Sequence, residues 1–274
     1  MKKLLIIIFF ICTLCSCGND LPTINQSSVI TSNTVDIYDK YLHVNLPQFD
    51  MENQRLYYIN WGKLTNSSWA DTVYIFSDVQ TEAAIQSKIY MIADVNGELL
   101  MYTIGMFDKV VIQNGELSLA DINDDGRDEI IVHFEITGNG ATITQIYKVD
   151  NHRIVLMADL TNFNTRFTSD FQNGYILRIE NESTSYYYDM DISDLFVNDF
   201  FDKNGHAITN EGVILSPFTS CSVIKNNDGQ FELRCTQNVS LISGFIGTAE
   251  TILQYNINKN QFEVIDAVFT PQPQ

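Results

Sequence analysis

The chain is short of basic residues, cysteine, histidine, proline and tryptophan, and two of these shortages, of basic residues and of histidine, narrow what it can do. Sixteen Lys and Arg face 34 Asp and Glu among 274 residues, a formal net charge of −18. A surface with that balance repels phosphate backbones and anionic headgroups, so nucleic acid is excluded as a partner. The four histidines, His43, His133, His152 and His206, are scattered; none stands at metal-ligand spacing from another, and no His-Glu-x-x-His run occurs. There is no Gly-x-Ser-x-Gly elbow. Ser222-x-x-Lys225 has the spacing of a nucleophile pair that works on a helix, but it lies in a strand-like run. Asp189 with Asp191, and Glu180 with Glu182, offer carboxylate pairs of the kind glycosidases use. Their same-strand spacing reads as a solvated face. The sequence therefore carries no assembled catalytic set, and the expectation is a protein that is not an enzyme.

The start of the chain reads as a targeting segment. Lys2 and Lys3 form a charged n-region and Leu4 to Leu14 an apolar h-region, too short for the roughly 20 apolar residues of a membrane span. Leu14-Cys15-Ser16-Cys17 resembles a bacterial lipobox, with residues 1–16 removed and a lipid placed on Cys17; the alternative is an ordinary cleaved signal peptide. Two acyl chains give stable anchoring where one is marginal. The resemblance implies a bacterial cell-envelope location, extracytoplasmic and attached to the membrane through Cys17. Residues 17–36, rich in Ser, Thr, Asn and Asp and without a period, are expected to form a flexible tether. Without Lys2 and Lys3, fourteen basic residues remain against 34 acidic ones, a mature balance of about −20.

Residues 37–270 are expected to form one β domain. Apolar and aromatic runs such as Arg55–Trp61, Val73–Phe76, Lys88–Ala93 and Glu98–Ile104 are separated by polar turns, Asn96-Gly97 being the sharpest hairpin signal. Further pairs turn at Asp150-Asn151-His152, Asn181-Glu182-Ser183 and Asn258-Lys259-Asn260. The pattern predicts an all-β fold, an irregular propeller-like meander of antiparallel hairpins. One short helix is expected over residues 192–200, from the spacing of Ile192, Leu195, Phe196 and Phe200, and a second helical turn over residues 81–88.

The sharpest chemical signal is Asp121-Ile-Asn-Asp-Asp-Gly-Arg-Asp-Glu129. Asp121, Asn123 and Asp125 alternate, so their oxygens can converge once the loop curls, and Gly126 supplies the positive φ that the curl needs. With the Arg127 carbonyl and Glu129 they make the mixed hard-oxygen set that Ca2+ takes. The acid stands at position nine rather than the twelve of an EF-hand, and a strand, Ile130–Ile136, follows. The alternative is a metal-free, Asx-rich turn. Loop followed by strand, with the acid at nine, resembles the FG-GAP or VCBS-type repeat of integrin α propellers and many bacterial secreted proteins. That resemblance implies one Ca2+ held by Asp121, Asn123, Asp125, Arg127 and Glu129 between two blade strands.

Two fainter copies exist. Ile224 to Glu232 matches positions three, five, six and nine, but Ile224 cannot coordinate an ion. Lys63 to Asp71 keeps Thr65, Ser67 and Asp71 at positions three, five and nine. Cys221 and Cys235 lie seven residues either side of Asp228, so a hairpin turning at residues 226–229 would bring them together as a disulfide; the alternative is two buried thiols. The functional expectation is a lipid-anchored envelope protein with a calcium-stabilised β domain and a binding, adhesion or accessory role toward a protein or glycan. A glycan-acting hydrolase, with acids assembled from distant strands, is the alternative.

Overall fold

The computed structural model describes residues 28–29, 54–67, 70–78, 86–108, 112–136, 141–194, 200–209 and 211–272. These residues are all-β and fall into four antiparallel sheets. The first contains β1 (Ser28–Val29), β2 (Gln54–Gly62), β3 (Asp71–Asp78), β4 (Gln86–Val95) and β5 (Glu98–Asp108). The second contains β6 (Ile112–Ala120), β7 (Glu129–Ile136), β8 (Ala141–Asp150) and β9 (Arg153–Asp159). The third contains β10 (Phe167–Gln172), β11 (Ile176–Asn181) and β12 (Tyr186–Asp191). The fourth contains β13 (Ile214–Lys225), β14 (Phe231–Leu241), β15 (Gly244–Asn256) and β16 (Gln261–Pro271). Strands neighbour one another in chain order in every sheet, so each sheet is a meander, as the repeated hairpin signals predict. The β4–β5 turn is a clear case: Asn96 and Gly97 both have positive φ, at 52° and 83°.

Three cores join the sheets. The alternation of β7 explains the central position of the second sheet. Ile130, Val132, Phe134 and Ile136 face the first sheet, where they meet Val73, Ile75, Ile89 and Met91. Ile131, on the opposite face, joins Cys221, Leu233, Cys235 and Leu253 of the fourth sheet. Seven of the eight residues of β7 are buried, Glu129 and His133 among them, so both faces are covered although its apolar run is interrupted by Glu129, His133 and Glu135. The fourth sheet uses one face for two partners. On β14, Leu233 and Cys235 pack against the second sheet, whereas Val239 and Leu241 lie in a core with Leu177 and Ile179 of the third. All four are odd-numbered and so share one side of the strand. Buried Gln237 sits between the two groups, accepting from Thr165 Oγ1 and donating to the Ser216 carbonyl at 2.6 Å each.

Three expectations change. Within the expected tether, Ser28–Val29 pair with Ile59 and Tyr58 of β2, giving β2 a partner on its outer edge; the rest of the expected signal peptide and tether, with Cys17, lies outside the described residues. No helix occurs among the described residues: in the helix expected over 192–200, Ser193-Asp194 is a turn and residues 195–199 lie outside the description. Of the helical turn expected over 81–88, residues 86–88 belong to β4, and the others are likewise outside it.

Candidate metal centre

The Asp121 loop joins β6 to β7, and its own polar side chains shape it. Asp121 accepts from the backbone N–H groups of Asp125 at 2.9 Å and Gly126 at 2.8 Å. Asn123 Oδ1 accepts from Asp125 N at 2.9 Å, and Asp125 Oδ1 from Arg127 N at 3.0 Å. Gly126 has φ of 81°, as the curl requires, and Asp124 is also left-handed at 59°. Glu129 turns back from the start of β7 to accept from Ile122 N at 2.9 Å and Asn123 N at 3.3 Å. The Asn123 amide nitrogen stands between two acids, 2.7 Å from Glu129 Oε1 and 3.3 Å from Asp125 Oδ2.

Glu129 is 1% exposed and makes no ion pair among the described residues. Burial, followed by the nearby charges of Asp125 and Asp121, raises its carboxyl to about 7 despite the two backbone donors. Burial also raises Asp128. Burial pushes Asp125 up as well, but Arg127, through its hydrogen bonds and charge, brings it below the ordinary carboxylate value. The Arg127 guanidinium lies 2.8 Å from Asp125 Oδ2.

Asp121, Asn123, Asp125 and Glu129 are thus gathered in one loop. Even so, no three His, Cys, Asp or Glu side chains come together as a metal-holding group among the described residues. The geometry shows why. The inner face of the loop is closed by its own N–H groups, by the Asn123 amide nitrogen and by Arg127. The donor set is nonetheless all hard oxygen: both Asp121 oxygens and Glu129 Oε1 accept one N–H each and keep a second lone pair. Glu129 Oε2 and both Asp125 oxygens accept two and would have to give up an N–H, from Arg127 or Asn123 in the case of Asp125, to hold an ion. Rotation of the Asn123 amide would turn its oxygen toward the acids in place of its nitrogen. The residues fit a calcium-class ion on those terms.

The two fainter copies are built on the same frame. At Lys63–Asp71, between β2 and β3, Asp71 Oδ2 accepts from Leu64 N at 3.0 Å and Thr65 N at 3.1 Å. These are the counterparts of the bonds from Ile122 and Asn123 to Glu129. Leu64 and Ile122, both at position two, are buried and plug their loops into the cores. The copies are also tied together: Lys63 N donates to Asp128 Oδ2 at 2.6 Å, and Asp128 N donates to the Lys63 carbonyl at 2.7 Å. At Ile224–Glu232, between β13 and β14, Asn226 Nδ2 donates to Glu232 Oε1 at 2.7 Å, as Asn123 does to Glu129. Here Lys225 occupies position two; it is exposed, and its ammonium sits 5.2 Å from the centre of the Phe231 ring. The shared element is therefore the carboxylate at nine gripping the loop, which the sequence alignment matched without showing what it does.

Residues 165–270 match the family model of the YybI C-terminal domain. The YybI C-terminal match spans the third and fourth sheets, and the Asp121 loop lies outside it. It includes the Ile224–Glu232 copy and the Cys221–Cys235 disulfide, which the structure forms between directly opposed residues of β13 and β14. No curated protein and no solved structure matches the chain.

The remaining polar residues singled out from the sequence are accounted for locally. His133 is buried, bonded to Thr144 Oγ1 at 2.9 Å, and its imidazole is lowered by burial. Ser222 and Lys225 lie on β13, a strand. Arg178 grips Asp189 through two bonds, 2.7 and 2.8 Å long, on an exposed face, and holds its carboxyl below the usual range. Tyr187 lies exposed beside Arg178, while Tyr186 and Tyr188 turn toward Phe269.

Glu129 has a consequence for stability. Its folded value of about 7 exceeds the ordinary 4.5, so between those values the folded chain holds a proton that the unfolded chain has released. Stability from this group is full below about pH 4.5 and falls as pH rises toward 7, by up to roughly 3 kcal/mol. In chelator, the stability of the wild type relative to Glu129→Gln is expected to drop between about pH 5 and about pH 8. Urea unfolding of both proteins at the two pH values checks it, and an unchanged difference refutes it.

Proposed function

We propose that the protein is a non-enzymatic, lipid-anchored protein of the bacterial cell envelope whose β domain is stabilised by one calcium ion. Its role is binding, adhesion or accessory work toward a protein or glycan. The observation that carries the reading is Glu129, a carboxylate 1% exposed, without an ion pair among the described residues and beside Asp121 and Asp125. A bound cation supplies the charge that this arrangement lacks. The side chains of Asp121, Asn123, Asp125 and Glu129 and the carbonyl of Arg127 would hold it, consistent with the resemblance of the loop to FG-GAP and VCBS repeats. The lipobox-like run at Cys17 supports the anchored, extracytoplasmic location. The acidic surface is in keeping with a partner other than nucleic acid.

Calorimetric titration of the full chain with calcium tests the ion. One binding event and a higher melting temperature are expected, and Asp121→Ala should abolish both. No heat and no shift at millimolar calcium would remove the metal from this reading.

A further inference from the structure

The tip of the β13–β14 hairpin faces the Asp121 loop across a cleft of about 400 Å3, within the size range of small-ligand sites. Asp121 and Asp124 line one side, Asp228 and Gln230 the other, and Phe231, Gln254 and Tyr255 complete the walls. The Tyr255 ring is fixed by contact with Phe262, centroids 5.2 Å apart, and by a 2.5 Å hydrogen bond from its hydroxyl to Asn260. Gln254 Nε2 donates to Gln230 Oε1 at 3.0 Å. That bond orients both amides and leaves one donor, Gln230 Nε2, and one acceptor, Gln254 Oε1, without a hydrogen bond among the described residues. The carboxylates of Asp124 and Asp228 make no ion pair among the described residues, and no basic residue lines the cleft.

We propose that this cleft binds a neutral sugar unit of a glycan. The lining offers flat aromatic surface, several acceptors and a free amide donor. An anionic ligand is repelled by the carboxylates. An ammonium or guanidinium group would suit the carboxylates and rings, but it has no acceptor to offer Gln230 Nε2. A sugar hydroxyl both donates and accepts. It can give a charge-assisted bond to Asp124 or Asp228 while taking one from Gln230, and the ring C–H face covers Tyr255, since Lys225 already sits over one face of Phe231. This goes beyond the reading above by placing the binding surface and its ligand class, and it does not need the ion, because the lining residues are in position without one.

The test uses the full chain in detergent, with neutral trisaccharides of glucose, galactose, mannose and N-acetylglucosamine as probes. Binding is followed by saturation-transfer NMR and calorimetry, with calcium and with chelator. At least one probe is expected to bind, with Tyr255 ring protons perturbed. Gln230→Ala, Gln254→Ala and Asp228→Ala, all at surface positions, should each weaken it by about ten-fold, and circular dichroism confirms that they stay folded. Failure of all four probes with folded protein, or affinity unchanged in all three variants, overturns the proposal. So does binding of an oligolysine peptide, sensitive to the same variants, when no sugar binds. Sugar binding that persists in chelator beside a flat calcium titration would sink the calcium reading alone. Calcium heat without sugar binding would sink the cleft proposal alone.

Discussion

Replacing Cys221 and Cys235 together by alanine is expected to lower the unfolding free energy by about 3 kcal/mol, the amount a cross-link closing a loop of roughly 15 residues contributes. The two residues face each other directly in the β13–β14 register, and both are buried where the second and fourth sheets pack. The cross-link restricts the unfolded chain and holds the base of the hairpin whose tip walls the cleft. Denaturant unfolding of the wild type, its reduced form and the double variant is the measurement. Reduction should bring the wild type close to the variant and leave the variant unmoved. Two free thiols in the untreated protein by mass spectrometry, with no response to reductant, would remove the disulfide from the account. Sugar binding should survive in the double variant below its melting point, because the rings and amides of the cleft lie toward the tip, past the cross-link.

The second large effect is expected at Glu129, as the loss of a response to calcium. At a calcium concentration about a hundred times the dissociation constant, the wild type should gain about 2.7 kcal/mol from mass action. Glu129→Gln keeps a side-chain oxygen to accept from the Ile122 and Asn123 N–H groups, so the loop still closes, but it removes the charge. The variant should therefore melt within a few degrees of the wild type in chelator, or above it at alkaline pH, and gain little from calcium. An equal calcium-induced shift in both proteins would show that Glu129 is not part of the ion's shell.

The strands that could be read from the sequence are those whose side chains alternate or run apolar without interruption. The stretches 55–61, 88–93, 153–158 and 261–268 fall inside β2, β4, β9 and β16. β6 and β10 gave no such signal. On β6 the register shifts between Gln113 and Gly115, which breaks the period of two. Gly115 reads in sequence as a strand breaker, but the packing demands it: a Cβ there would lie 2.6 Å from the His133 carbonyl oxygen and from Phe134 Cβ. On β10 only Phe167 and Phe171 are buried, and the rest is polar.

The candidate site divides in the same way. Oxygen spacing and Gly126 were enough to mark the Asp121 loop, because its ligands are local and its curl is set by residues within the motif. Two features were invisible. The Lys63–Asp128 clasp joins residues 65 positions apart, and it needs glycine at position 62, where a Cβ would lie 2.6 Å from Asp128 Oδ2. The cleft draws on residues from Asp121 to Ile257, which only the packing of the second sheet on the fourth brings together.

By itself, then, the sequence determined the β class, the hairpin order and the one loop with a complete oxygen set, since all three follow from short-range periodicity and turn chemistry. Tertiary structure decided that β7 is buried on both faces, that the fourth sheet serves two cores with one face, and that Glu129 lies in the interior as a carboxylate short of positive charge. The physical reason is that burial and charge balance belong to faces and partners far apart in the chain. No local pattern encodes which sheet will cover a strand, and that covering leaves the Glu129 carboxylate of the Asp121 loop buried without an ion pair among the described residues.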